Sequence, residues 1–133
     1  MARVSDIIFC LRAKNMDGQG VSADTILTAL SPEYIPGLFT FSVILTLVDI
    51  DTTVEHQLLV QFISPSGEEV VRIESELPVI EDHSNLPNEH KGINVAMDWN
   101  NVNLRESGLY TIKVLINNVE VGVKSIFVKG KNE

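Results

Sequence analysis

One cysteine in 133 residues leaves no internal disulfide to form, and no Asn-x-Ser/Thr sequon occurs. Nothing therefore marks an oxidising or secretory history, and the expected compartment is the cytoplasm. Long apolar runs are missing too. Phe39 to Val48 is broken by Thr40, Ser42 and Thr46, far short of the ~20 residues that a membrane-spanning helix needs. Ile7 to Leu11 is short, runs into Arg12 and Lys14, and has no small-residue cleavage site after it. It reads as a first strand and not as a leader. Basic residues are few, ten against eighteen acidic for a net charge of −8, and they are scattered. Nucleic-acid binding is not expected, because phosphate contacts are made by clustered Lys and Arg. An acidic surface supports solubility and leaves room for a basic partner or a divalent cation. Gly-x-Ser-x-Gly, Walker, His-Glu-x-x-His and Gly-x-Gly-x-x-Gly patterns are all absent, so an enzyme is the minor reading and no cofactor is expected.

What the chain has in quantity is period-two alternation. Phe39, Phe41, Val43, Leu45 and Leu47 alternate with Thr40, Ser42, Ile44 and Thr46, as a central strand requires. Leu58, Val60 and Phe62 repeat the pattern within His56 to Ile63, and Ser64-Pro65-Ser66-Gly67 then turns the chain into Glu69 to Ile73. Ile93, Val95, Met97 and Trp99 alternate with Asn94, Ala96, Asp98 and Asn100, which predicts a half-buried strand with Trp99 in the core. Tyr110, Ile112, Val114 and Ile116 lead to Asn117-Asn118, and Val119, Val121, Val123 and Phe127 lead back. An Asn pair tolerates the positive φ of a two-residue hairpin turn.

Two segments are less clear. Met16-Asp17-Gly18-Gln19-Gly20 reads as a turn. In Val21 to Leu30, Ser22 could cap a helix, but β-branched Thr25, Ile26 and Thr28 favour a strand. Pro32 and Ile35-Pro36-Gly37 end that element. From Leu77 to Gly92 there is no periodicity, and the segment reads as a loop.

Seven to eight short strands separated by turn signals predict one all-β domain over residues 1–133, an antiparallel β-sandwich. The spacing of Leu104, Gly108 and Tyr110 resembles the tyrosine corner of immunoglobulin-like and fibronectin-like domains, in which the Tyr hydroxyl bonds back to upstream backbone. Ile112 stands where an antibody domain would carry its second cysteine, and Trp99 lies too late for the third strand, so no antibody-type domain is implied. The whole chain resembles small uncharacterised bacterial families of Ig-like or C2-like sandwiches. They begin with a strand ending in Cys, pass an Asp-Gly turn and close with a Gly-x-Tyr strand and a hairpin. That resemblance implies a bacterial or phage origin and no known reaction.

Three places carry residues able to bind something. Glu81, Asp82, His83, Glu89 and His90 concentrate metal-capable and charged groups in the loop from Leu77 to Gly92. A zinc site would need a third fixed ligand that the spacing does not supply, which favours a solvated acidic loop; as a long loop on a rigid scaffold it is also the expected contact for a protein partner. Asp49, Asp51 and Glu55 form the alternative, a C2-like calcium site, which would draw further oxygens from Asp82 or Asp98. The competing reading is that aspartate simply makes the turn. His56 stands alone, and Cys10 in an apolar strand reads as a small buried hydrophobe. The expected function is a non-enzymatic protein-interaction module of unknown pathway. Its rivals are a calcium- or lipid-responsive C2-like domain and a metal enzyme built on His83 and His90.

Overall fold

Alternation gives each strand one dry face and one wet face, and two such sheets bury their dry faces against each other. The computed structural model describes residues 2–16, 20–51, 53–77, 79 and 92–131. Its strands are β1 (Arg3–Met16), β2 (Gly20–Ile26), β3 (Ala29–Leu30), β4 (Gly37–Val48), β5 (His56–Ile63), β6 (Glu69–Leu77), β7 (Gly92–Leu104), β8 (Gly108–Ile116) and β9 (Val119–Val128). They form a four-stranded sheet, β2-β1-β4-β7, and a five-stranded sheet, β3-β9-β8-β5-β6. Among the described residues no helix is long and apolar enough to cross a membrane.

The expected β-sandwich is what the chain forms, with one strand more than the sequence indicated. Val21 to Leu30 is extended as expected but divided between the sheets. β2 pairs antiparallel with β1, whereas β3 pairs parallel with β9. Thr25, inside β2, has φ +59°, and Leu27 still donates its N–H to the Phe9 carbonyl of β1 at 2.7 Å, so the crossing falls between Leu27 and Ala29. The Asp17-Gly18 turn lies outside the described residues.

The core lies between the sheets. Phe9, Phe41, Val43 and Leu45 from one side meet Val60, Phe62, Ile112 and Val114 from the other, all essentially inaccessible to solvent. Trp99 is buried as expected, 5.4 Å from the Phe41 ring at 70° and 5.5 Å from Phe62. A bulge between Phe39 and Phe41, opposite Asn101 with φ +53°, resets the alternation. Trp99 and Val102 therefore both face inward, although they are an odd number of residues apart.

Both expected hairpins form. Asn117 and Asn118 have φ of +52° and +66° between β8 and β9, the primed turn that matches strand twist. Gly67 N–H closes the β5–β6 turn on the Ser64 carbonyl at 2.9 Å. The tyrosine corner also forms. Tyr110 is fully buried and donates its hydroxyl hydrogen to the Glu106 carbonyl at 2.8 Å, with Leu104 inaccessible nearby in sequence. Gly108 has φ +135°, and a Cβ there would stand 2.8 Å from Pro65 Cγ, so the corner needs glycine.

Candidate functional site

Edge strands decide which parts of a sandwich remain open. β7 ends the four-stranded sheet and β6 ends the five-stranded one. A groove of about 390 Å³ runs between them over Ile73, Leu77, Ile93, Val95 and Met97, with Ser75, Glu76, Asn94 and Ala96 at its rim. Leu77 and Met97 are buried, while Ile73, Ile93 and Val95 are only half-buried. Each is an inward-facing position on a strand that, among the described residues, is paired on one side only.

An edge strand exposes unpaired backbone N–H and C=O groups, and native proteins guard such edges with charges, bulges or brevity. β3 is two residues long, and β2 carries the left-handed Thr25 one residue before its end at Ile26. β9 turns Lys124 inward, where its ammonium donates to the Ile7 carbonyl. β6 carries Glu69, Arg72, Glu74 and Glu76. β7, at 13 residues, has one charged side chain, Asp98, and no proline or lysine. Asp98 itself accepts a hydrogen bond from Ser42 Oγ at 2.6 Å, and Asn94 accepts from Thr46 Oγ1 at 2.7 Å. Both side chains thus tie β7 to β4, and among the described residues no other charge and no proline guards its other edge from Gly92 to Trp99.

Charge on the two strands that flank the groove is mainly negative. Arg72 sits 2.7 Å from Glu74 and 3.2 Å from Glu69, and hydrogen bonds to those two carboxylates, Glu74 first, raise its already high pKa. Glu76 accepts from Gln57 Nε2 at 3.2 Å. β6 therefore carries three carboxylates against one guanidinium, and Asp98 adds a further negative charge on the β7 side.

Glu81, Asp82, His83, Glu89 and His90 lie outside the described residues. Their segment joins β6 to β7, so it leaves and re-enters the fold at Leu77 and Gly92, at this same side of the sandwich. The Asp49–Glu55 connection is a turn held by its own groups. Asp51 Oδ1 accepts from Thr53 N–H at 3.0 Å and Thr53 Oγ1 at 2.6 Å, Asp49 has φ +56°, and Glu55 is exposed. Among the described residues no three His, Cys, Asp or Glu side chains are gathered as a metal site. Asp98 is on β7, bonded to Ser42, and is not brought to that turn as a ligand. His56 is not isolated, since its Nε2 lies 2.7 Å from the Asp51 carbonyl and its Nδ1 3.1 Å from Asn117 Nδ2. Asn117 Nδ2 can only donate, so Nδ1 accepts and Nε2 carries the proton.

Cys10 is fully buried, as the sequence indicated. Burial pushes its thiol up, a backbone hydrogen bond at Arg12 opposes, and the charges of Asp98 and Asp24 add to the rise; a thiol of this kind is inert. A second, polar cleft of about 180 Å³ beside Tyr110 includes Ser64, Glu68, Arg105 and Glu106. Its charged groups engage their neighbours: Arg105 bonds Glu68 at 3.2 Å, and Glu106 accepts from Ser66 N–H at 2.8 Å. The β6–β7 groove was missed in the sequence. The scarcity of charge from Gly92 to Trp99 marks an apolar strand but not its place at a sheet edge.

A model of a family of unknown function, DUF6941, matches residues 6–129. No curated protein matches the chain in sequence. In structure the chain is similar to an immunoglobulin-like protein from Pseudomonas aeruginosa, with a TM-score of 0.52 at 13% identity over 97% of both chains. It is also similar to part of the alkylpurine DNA glycosylase AlkC of Pseudomonas fluorescens, solved bound to DNA containing an abasic-site analogue. That match has a TM-score of 0.51 at 9% identity and covers 96% of this chain but 30% of the glycosylase. At these identities the likeness is one of fold.

Proposed function

The chain belongs to the DUF6941 family, whose function is unknown, and on that premise we propose a non-enzymatic protein-interaction module that binds its partner along the β6–β7 side. The observation that carries this reading is the long, nearly uncharged edge of β7 beside an apolar groove. Exposed strand edges template pairing with another chain, and a neighbouring apolar floor adds burial of side chains to that pairing. Nucleic acid is a poor fit for a surface of net charge −8. The single cysteine and the missing sequons support a cytoplasmic setting, and the resemblance of the chain to small bacterial families supports a bacterial or phage one.

Placing a guard on the edge tests the reading. Ala96 is exposed and belongs to the groove rim, so Ala96→Lys adds charge where a partner strand would pair and leaves the core intact. Affinity purification from the native host should yield a stoichiometric partner with the wild type and lose it with Ala96→Lys at unchanged melting temperature. A partner retained equally by both would move the site off this side. No partner at all would remove the module reading.

A further inference from the structure

We propose that the occupant of the β6–β7 groove is an extended segment of a partner protein in which basic and apolar residues alternate, added as a new strand on β7. This rests on the module reading above and specifies its partner. Among the described residues β7 pairs only with β4, so an added strand would lie roughly 4.8 Å beyond it. Successive side chains of that strand point to opposite faces. Those turned inward fall over the groove floor, where Ile73, Val95 and Ile93 are half-exposed and complete burial favours apolar residues. Those turned outward continue the face that carries Asn94, Ala96 and Asp98, since those residues alternate with the inward ones.

Charge selects the outward residues and the kind of partner. Asp98 is the one charge on β7, Glu76 of β6 belongs to the groove rim, and the whole chain carries −8. Lysine or arginine beside Asp98 forms a favourable cross-strand pair, whereas a like charge directly opposite is destabilising. A second copy of β7 has no lysine or arginine to set beside Asp98, so self-pairing lacks the complementary charge that specifies a partner. The groove thus favours a basic segment over a second copy of its own strand.

Fluorescence anisotropy with synthetic peptides tests the proposal on the intact chain. The probe is a short peptide alternating lysine and valine. Its controls are the same peptide with glutamate for lysine and the same peptide with alternate backbone nitrogens methylated. The lysine–valine peptide should bind, and its affinity should fall as salt screens the rim. Methylation of the backbone, Ala96→Lys and Glu76→Lys should each weaken binding about tenfold or more, the scale of one lost specific contact. Failure of the lysine–valine peptide to bind overturns the proposal, as does equal binding of the glutamate form or of the methylated form. If a native partner is nonetheless captured and lost on Ala96→Lys, the module stands and only its partner chemistry is wrong. If no capture depends on Ala96, the module itself fails.

Discussion

Tyr110 reaches back four residues to close on its own approach, donating to the Glu106 carbonyl at 2.8 Å while accepting from the Glu106 N–H at 3.4 Å. The bond pins the crossing from β7 to β8, the point at which the chain leaves one sheet for the other.

Tyr110→Phe should therefore cost about 0.5–1.5 kcal/mol in urea titration at neutral pH, the net worth of one hydrogen bond. Alkali provides a second readout. Burial, chiefly, and the charges of Glu106 and Glu68 raise the phenol above the ordinary tyrosine value, against the bond from the Glu106 N–H. A group raised in the folded state contributes stability below its unfolded pKa, about 10 for tyrosine, and loses it as pH rises through the folded value. Wild-type stability should thus fall above about pH 10, and the gap to Tyr110→Phe should narrow there. Equal stability of the two proteins at neutral pH would sink the corner while leaving the sandwich.

The hairpin of β8 and β9 and the corner were legible in the sequence because each rests on neighbours in the chain. Alternation sets the faces, Asn117-Asn118 sets the turn, and Gly108 precedes Tyr110 at fixed spacing. The division of Val21 to Leu30 was not legible, because it depends on where β1 and β9 come to lie. Neither was the groove, since strand order in a sheet is a tertiary property and Gly92 to Trp99 reads the same at an edge or a centre. Asp49-Ile50-Asp51 invited a calcium reading from residue type alone. In the fold, one of those carboxylates is the acceptor that holds Thr53.

Asn117 does more than tolerate its φ of +52°. Its Oδ1 accepts from Gln57 N–H at 2.9 Å, and its Nδ2 donates to His56 Nδ1 at 3.1 Å. Glycine normally relieves a left-handed residue, yet here it deletes both bonds. Asn117→Gly should lower stability by about 1 kcal/mol, whereas Asn118→Gly, at φ +66°, reports the backbone effect alone. A neutral or stabilising Asn117→Gly in thermal melts would show that the side chain matters only for its conformation.

Trp99 is the one tryptophan in the chain, so its fluorescence reads the core directly. The ring packs on Phe41 and Phe62, and its buried Nε1 has no hydrogen-bond partner among the described residues. An indole in so dry a site should emit in the blue and shift red on unfolding. Folded-state emission at the solvent-exposed wavelength would contradict the placement of β7 over the core.

The segment that joins β6 to β7 carries Glu81, Asp82, His83, Glu89 and His90, and it starts and ends beside the groove. Replacing Glu81, Asp82, Glu89 and His90 together by alanine separates its contribution from that of the strand edge. Exposed charges add little to stability but steer and specify association. If the segment contacts the partner, this variant should weaken capture with the melting temperature nearly unchanged, and its effect should add to that of Ala96→Lys, as for independent sites. Undiminished capture would leave the groove and edge as the whole site. A large fall in melting temperature would show that the segment holds the fold instead, and that β6 and β7 depend on it for their placement.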